Sequence, residues 1–193
     1  MNSSHSILKK ELYKHYPFIS SSEIDDFVNL WTIHKKLKKF DFLSTQGKIE
    51  RNLYFILEGT FHQYYSLDSN FTVSFAIPHM FYNSFESFVT QQPSKVFVQA
   101  LSAAEVIGIS RESFYKTIHS NWNFERAYRL KTETQLLEQY ERDFLLKLPS
   151  SQRVLKYLKT QPQIFQKIPQ KYIASFLGLS PETFSRILKK SKS

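Results

Sequence analysis

The sequence predicts an α+β chain in which N-terminal helices and an antiparallel β-roll precede a long helix and a C-terminal helical domain. Three observations predict this class. Apolar residues at helical spacing occupy the first and last parts, short strand-like runs rich in aromatic and β-branched residues occupy the middle, and the net charge lies in the last quarter. We expect three parts, residues 1–120, 121–148 and 149–193. Pro149 and the two serines after it are expected to break the long helix, to cap the next one and to form a hinge.

The N-terminal part, residues 6–37, is expected to be helical. A second helix starts within this part, because Ser20 and the two serines after it precede Glu23 in the order of an N-cap followed by an acidic residue. The apolar positions at helical spacing are Ile7, Leu8, Leu12, Tyr13, Phe27, Leu30 and Trp31.

The pattern changes to short strands between residues 38 and 109. Turn residues separate the runs, among them Gly59 and the pair Pro93 and Ser94. The expected strands are 53–57, 61–65, 71–77, 95–101 and 105–109. Several short strands at this spacing favour an antiparallel barrel or roll.

Residues 111–147 are expected to be helical again and to carry a heptad seam with two polar interruptions. We predict that this seam forms a homodimer interface, because a dimer also brings together two copies of the helix-turn-helix predicted below. The alternative is that the stripe packs only on the strand domain. The predicted interface residues are Ala127, Leu130, Thr134, Leu137 and Phe144.

The segment 170–189 has the spacing of a helix-turn-helix. Gly178 falls where a tight turn can require positive φ, and Ser180 then offers an N-cap followed by Pro181 at the first helical position. The positions expected to be buried are Ile173, Ala174, Leu177, Phe184, Ile187 and Leu188. The apolar residues, the small residue, the glycine and the N-cap all fall at the positions that a helix-turn-helix requires. This pattern favours a DNA-docking unit over an ordinary helical hairpin.

The charge distribution supports this interpretation. From Leu146 to the end there are ten Lys or Arg residues and one acid, whereas the first 145 residues hold 16 of each sign. A positive surface around a docking helix supplies the phosphate-neutralising term that dominates affinity for nucleic acid. A solvated basic tail is disfavoured, since the charges interleave with apolar helical positions. Double-stranded DNA is therefore the predicted partner.

Several classes are excluded or disfavoured by composition. The chain has no cysteine, which excludes disulfides and cysteine-ligated metal or iron–sulfur sites. No apolar run approaches the roughly 20 residues of a membrane helix, and the polar N-terminus lacks the apolar core of a signal peptide. An enzyme has little support, because no phosphate loop, carboxylate pair or nucleophile motif occurs. We expect a cytoplasmic protein without a cofactor, a catalytic site or a metal site.

The order of these parts resembles the Crp/Fnr family of bacterial transcription regulators over nearly the whole chain. The resemblance is most specific in LYFILEG (residues 53–59), in residues 81–101 and in the helix-turn-helix. It implies a roll that senses a small molecule, often a cyclic nucleotide, and long helices that transmit binding to DNA-reading heads. RNA polymerase is a further candidate partner, because activation of transcription requires a surface patch that touches it.

The cassette that binds cyclic nucleotides in this family is degenerate here. Its opening Gly-Glu pair falls on Tyr82 and Asn83, and its closing Arg-Ser pair falls on Pro93 and Ser94. Without the arginine, nothing local offers the bidentate fork that a cyclic phosphate needs. We therefore expect an unidentified effector, if any, in a pocket formed by Tyr82, Asn83, Phe85 and Ser94.

The aromatic residues of this region leave two alternatives open. They can line an apolar ligand cavity or fill a closed core. The residues concerned are Phe81, Tyr82, Phe85, Phe88 and Phe97. His79 lies near the cassette, and a lone histidine there is more typical of a loop hydrogen bond than of a metal ligand.

The resemblance also implies roles for the second helix of the helix-turn-helix. Glu182 and Arg186 match the family's base-contacting positions and lie four residues apart, hence on one face. Ser180, Thr183, Lys189 and Lys190 are the expected phosphate contacts. The alternative is a small-molecule or protein-binding module that uses the β-roll and does not read DNA.

Overall fold

The computed structural model describes residues 3–190. Its helices and strands follow the predicted order. They are α1 Ser3–His15, α2 Ser21–Asn29, β1 Ile33–Leu37, β2 Phe42–Ser44, β3 Asn52–Glu58, β4 Phe61–Ser66, β5 Asn70–Ala76, β6 Phe81–Tyr82, α3 Phe85–Thr90, β7 Phe97–Ala100, β8 Ala104–Ser110, α4 Arg111–Ser120, α5 Trp122–Lys147, α6 Ser150–Thr160, α7 Pro162–Lys167, α8 Gln170–Phe176 and α9 Pro181–Lys190. The predicted α+β class is confirmed.

The strands form two four-stranded antiparallel sheets, ordered β1-β8-β3-β6 and β2-β7-β4-β5. A core of alternating inward side chains lies between them. Its fully buried members include Tyr54, Ile56, Phe61, Val98 and Val106. The five strands expected from the sequence are all present, and β3, β4, β7 and β8 each place an aromatic or β-branched residue in this core, whereas β5 contributes Ala76.

Helices α1, α2, α4 and the start of α5 pack together on the outer side of the β1-β8-β3-β6 sheet. The predicted helix start at Ser20 is confirmed as a capping box with Glu23. The Glu23 carboxylate also accepts from the Asn121 amide (2.7 Å) and the Asn123 amide (3.1 Å). Together with the bond from the Ser20 side chain, which has the largest effect, these bonds lower the pKa of Glu23 to about 2. The two asparagine bonds also attach α2 to the beginning of α5.

Three element boundaries differ from the prediction. Residues 33–37 form a strand rather than the end of a helix, because they pair antiparallel with β8 from Ile33 opposite Gly108 onward. The long helix is interrupted at Asn121, whose side-chain oxygen accepts from two backbone N–H groups of α5 and starts a new helix. At the hinge, Pro149 occupies the cap position of α6 and provides no side-chain cap, so the expected serine cap is wrong.

Helix α5 spans 26 residues and connects two cores. Phe124 and Ala127 at its start lie in the helical cluster over the roll, whereas Leu145 at its end lies in the core of the C-terminal helices. The middle of the helix is exposed to solvent on most sides. The helix therefore links the roll to the C-terminal helices, which we call the head (residues 149–190).

Candidate nucleic-acid interface and effector cavity

Helices α8 and α9, joined by a short turn, occupy the segment that was predicted to be a helix-turn-helix. Gly178 occupies the turn with φ of 65°, in the left-handed region that glycine tolerates without steric cost. The Ser180 hydroxyl accepts a hydrogen bond from the Thr183 backbone N–H at 3.2 Å, which confirms the predicted N-cap of α9. The turn and the cap together determine the direction in which α9 leaves α8.

Helix α9 has one buried face and one polar face. Phe184 is 1% exposed and packs on Phe165 in the core of the head. Glu182 and Arg186 are exposed on the opposite side, and neither forms an ion pair with another described residue. Of the other predicted contact residues, Ser180, Lys189 and Lys190 are exposed and Thr183 is half-buried.

The surface around α9 is strongly basic. Glu182 is the only acidic residue between Leu146 and the end of the chain. Most of the lysines of this segment that the structure describes are exposed. The exposed ones are Lys147, Lys159, Lys167, Lys171, Lys189 and Lys190. Acidic side chains are therefore scarce in the part of the chain that carries α9.

Arg153 joins the turn of the helix-turn-helix to the end of α5. Its guanidinium donates to the backbone carbonyl of Leu177 at 2.5 Å and to that of Leu148 at 2.9 Å. Both carbonyls lie at helix C-termini, where backbone acceptors lack intrahelical partners and a cation is favourable. Sequence analysis did not single out this residue, because its two acceptors are far apart in the chain.

The head also rests on the roll. The ring of Tyr172 on α8 lies 4.5 Å from that of His62 on β4, and Phe176 lies 5.4 Å from Phe75 on β5. Ser175, between them, bonds to the backbone of β5. Helix α8 is thus part of an interface with the β-roll of the same chain, which no local sequence pattern indicated.

The cassette region is closed by its own hydrogen bonds. The Ser94 hydroxyl is buried, lies 2.8 Å from that of Ser84, and donates to the Val96 carbonyl at 2.8 Å. The amide of Asn83 donates to the Asn52 carbonyl at 3.1 Å. Both polar side chains that the family would turn toward a nucleotide are therefore engaged within the chain.

A cavity of about 310 Å³ lies beside the cassette, between α1, α2, α5 and the strand β6. Three of the four predicted pocket residues, Tyr82, Asn83 and Phe85, line it, whereas Ser94 does not. Phe81 and Phe88 also line it. Phe97 differs, because it packs outside the cavity on Phe42 and Tyr64.

The predicted dimer seam is only partly exposed. Ala127 is 6% exposed and packs within the chain's own core, so its side chain is not available to a partner, and Leu130 is half-buried. Thr134, Leu137 and Phe144 are exposed. Leu136 and Tyr140, which the heptad assignment omitted, are also exposed, at 54% and 65%. The surface formed by Leu136, Leu137, Tyr140 and Phe144 is called the α5 stripe below.

The histidine near the cassette makes local contacts. His79 Nδ1 lies 3.3 Å from a carboxylate oxygen of Glu11, and its ring stacks on Phe55. Among residues 3–190, no group of three or more His, Asp or Glu side chains is placed to hold a metal ion. Within the same range, no helix has the length and apolar character needed to span a membrane.

Comparison with known protein families finds a match over the β-roll and α4. Residues 34–121, from β1 to the end of α4, match the family model of the cyclic nucleotide-binding domain. No curated protein matches the chain.

Solved structures extend the likeness to most of the chain. FixK2 from Bradyrhizobium japonicum superposes with a TM-score of 0.71 at 17% identity, covering 81% of this chain and 82% of that one. The c-di-GMP responsive global regulator CLP from Xanthomonas campestris gives 0.68 at 16% identity, covering 90% and 92%. The catabolite activator protein of Thermus thermophilus gives 0.51 at 17% identity, covering 93% and 85%.

Residues 34–121 thus match the cyclic nucleotide-binding domain model, and the chain as a whole shares the fold of Crp/Fnr-type regulators. At these identities the likeness to solved structures concerns the fold alone. The matched family model covers the roll and α4, whereas α5 and the head lie outside it.

Proposed function

We propose that the protein is a dimeric DNA-binding transcription regulator of the Crp/Fnr type that reads a two-fold symmetric site. The observation that carries this proposal is the exposed polar face of α9, which stands on a capped helix-turn-helix in the one strongly basic part of the chain. The fold shared with FixK2 and CLP supports it.

The residues of α9 divide into two roles. Arg186 donates bidentately to guanine O6 and N7, and Glu182, on the same face, accepts from cytosine N4. The N-cap region and the C-terminal lysines position the helix on phosphates without reading sequence. The phosphate contacts are Ser180, Thr183, Lys189 and Lys190.

A second copy of the chain covers the α5 stripe. Four large apolar side chains in one short region of a long helix, each at least half exposed, are costly to leave in water. Pairing of two such helices buries them and places two α9 helices on one side of the dimer. The two heads then address half-sites about one DNA turn apart.

The decisive experiment is selection of bound sequences from random duplex DNA at two salt concentrations. We expect a symmetric site for the native protein and its loss in Arg186→Ala, with specific binding weakened by about 1–3 kcal/mol. Arg51→Ala, an exposed arginine on the roll, is the matched control and leaves the selected site unchanged. Salt-sensitive binding without sequence preference in the native protein would contradict the proposal.

The effector is not a cyclic nucleotide bound in the usual mode. The closing position of the cassette is Pro93 rather than arginine, and the hydroxyl of Ser94 is satisfied within the chain. Titration calorimetry with cyclic AMP and cyclic GMP tests this, and we expect no heat of binding at micromolar concentrations. Micromolar binding of either nucleotide would refute it.

A second candidate function is a small-molecule-binding module in which the head does not read DNA. The cavity beside β6 favours it, because a cleft of this size falls at the lower end of ligand pockets, about 300–1,000 Å³. This alternative predicts no sequence preference and no salt-steep DNA affinity. The same selection experiment therefore separates the two functions.

A further inference from the structure

The cavity contains an unsatisfied hydrogen-bond donor. Trp31 lines the cavity and is 1% exposed, and its indole N–H has no hydrogen-bond partner among the described residues. The indole N–H can only donate, so it needs an acceptor. Buried polar groups in native proteins nearly always have one, and leaving such a group unpaired is costly. The missing acceptor therefore points to a molecule that enters the cavity.

The walls around this donor are mostly apolar. Most of the aromatic members come from the helices and from β6, among them Phe27, Phe81, Tyr82, Phe88, Phe114 and Phe124. Few of them belong to the core between the sheets, so the cavity differs in place from the cassette closed by Ser84 and Ser94. A large aromatic surface that includes a buried, unpaired donor favours an apolar ligand that carries an acceptor.

Several other polar side chains of the wall are already paired, and its two charged side chains are of opposite sign. The Ser74 and Tyr82 hydroxyls lie 2.6 Å apart, and Ser74 donates to the Gln63 side chain at 2.9 Å. The two oppositely charged side chains of the lining, Lys131 and Glu138, both lie on α5. The charges of the wall thus sum to zero, which favours a neutral ligand over an anion or a cation.

We infer that this cavity binds a neutral, largely apolar small molecule whose carbonyl oxygen accepts a hydrogen bond from the Trp31 indole N–H. Because α5 forms one wall through Ala127, Tyr128 and Lys131, the bound molecule contacts the helix that carries the α5 stripe. A regulatory effect of this contact rests on the proposed function. The binding site itself does not, since it requires neither DNA nor a dimer.

The test uses the full chain carrying Trp122→Phe and a matched pair of probes. The substitution removes the other tryptophan, which is 74% exposed and lies outside the cavity, so that Trp31 supplies the one indole signal. The probes are 4-phenyl-2-butanone, which has a carbonyl, and butylbenzene, which has none. Titration calorimetry gives the affinities, and the indole N–H resonance in proton–nitrogen correlation spectra reports on the donor.

We expect both probes to bind and the ketone to bind about two- to tenfold more tightly, the gain of one net hydrogen bond. The indole resonance should move further downfield with the ketone than with the hydrocarbon. In a Trp31→Phe variant the preference should disappear, while butylbenzene binds as before.

Absence of binding by both probes, equal affinities together with equal shifts, or a preference that survives Trp31→Phe would overturn the inference. If Trp31→Phe does not fold, the Trp122→Phe protein alone tests the inference. Its indole N–H resonance should move further downfield with the ketone than with the hydrocarbon. This test contains no DNA. If the probes bind the cavity but the DNA selection yields no site, the cavity inference is supported and only the proposed function is rejected.

Discussion

Ser175 of α8 donates a hydrogen bond from its hydroxyl to the backbone carbonyl of Asn70, 3.2 Å away and 105 positions earlier in the chain. The same hydroxyl accepts from the Thr72 backbone N–H at 3.1 Å. β5 is an edge strand, whose outward backbone groups lack a strand partner. One serine of the helix-turn-helix thus satisfies two of these groups and attaches the head to the roll.

Substitution of this serine should loosen the head. Ser175→Ala removes both bonds, and we expect a loss of about 1–2 kcal/mol in the free energy that holds α8 on β5. Hydrogen exchange of the α8 amides should accelerate, while exchange within the roll changes little. Thr132→Ala, which removes an exposed hydroxyl that bonds within its own helix, is the control. Unchanged exchange in α8 would show that the aromatic contacts alone hold the head.

Acidification should weaken the same interface through His62. The side chain is 3% exposed, stacks on Tyr64 and contacts the tilted ring of Tyr172, and burial lowers its pKa to about 4. An unfolded histidine titrates near 6.5, so between about pH 6.5 and pH 4 the unfolded state binds more protons than the folded one. The stability contributed by neutral His62 is thus complete above pH 6.5 and decreases as the pH falls toward 4.

The measurement is the free energy of unfolding at pH 7 and pH 4.5, for the native protein and for His62→Gln. We expect the native protein to lose on the order of 2 kcal/mol more than the variant over this interval. Because all other titrating groups are common to both proteins, the difference isolates His62. Parallel pH profiles for the two proteins would show that His62 is charged without cost in the folded state.

The α5 stripe should determine the oligomeric state. Leu137 is 65% exposed, and Leu137→Lys places a charge in the middle of the stripe. We expect sedimentation to show a dimer for the native protein and a monomer for this variant. Leu67→Lys, at a 74% exposed leucine between β4 and β5, is the matched control and should remain dimeric. A dimer that survives Leu137→Lys would place the interface elsewhere.

The turn between β3 and β4 should tolerate only glycine. Gly59 has φ of 89°, and an added Cβ would lie 2.4 Å from that of Ala104 and 2.6 Å from the Ala103 carbonyl oxygen. We expect Gly59→Ala to lower the free energy of unfolding by about 3 kcal/mol or more. Gly47→Ala, at φ of 80° with open space around it, should cost only about 1–2 kcal/mol. Equal melting temperatures for the two variants would contradict this steric argument.

The sequence predicted those parts of the fold whose signals are local. The strands of the roll stood out as aromatic and β-branched runs between turns, and the cap at Ser180 and the turn at Gly178 were visible as single residues. β1 was missed because three of its five residues are polar and exposed, so its strand character depends on pairing with β8.

Contacts between distant segments could not be predicted from local patterns. The docking of Ser175 on β5 depends on how the head rests against the roll. The cavity was anticipated on the side of Tyr82, Asn83 and Phe85, where a family motif marks the chain. Its other wall, with Trp31, appears only once α1 and α2 cover the sheet.

The two carbonyls that Arg153 binds, at Leu148 and Leu177, determine where this protein can be divided. Leu145, in the last turn of α5, belongs to the core of the head. A head transplanted from residue 149 onward would lose the Leu148 acceptor and a buried leucine, leaving a guanidinium half satisfied beside the turn. In a chimaera that exchanges the head with that of another protein of the same fold, the junction therefore has to lie upstream of Leu145.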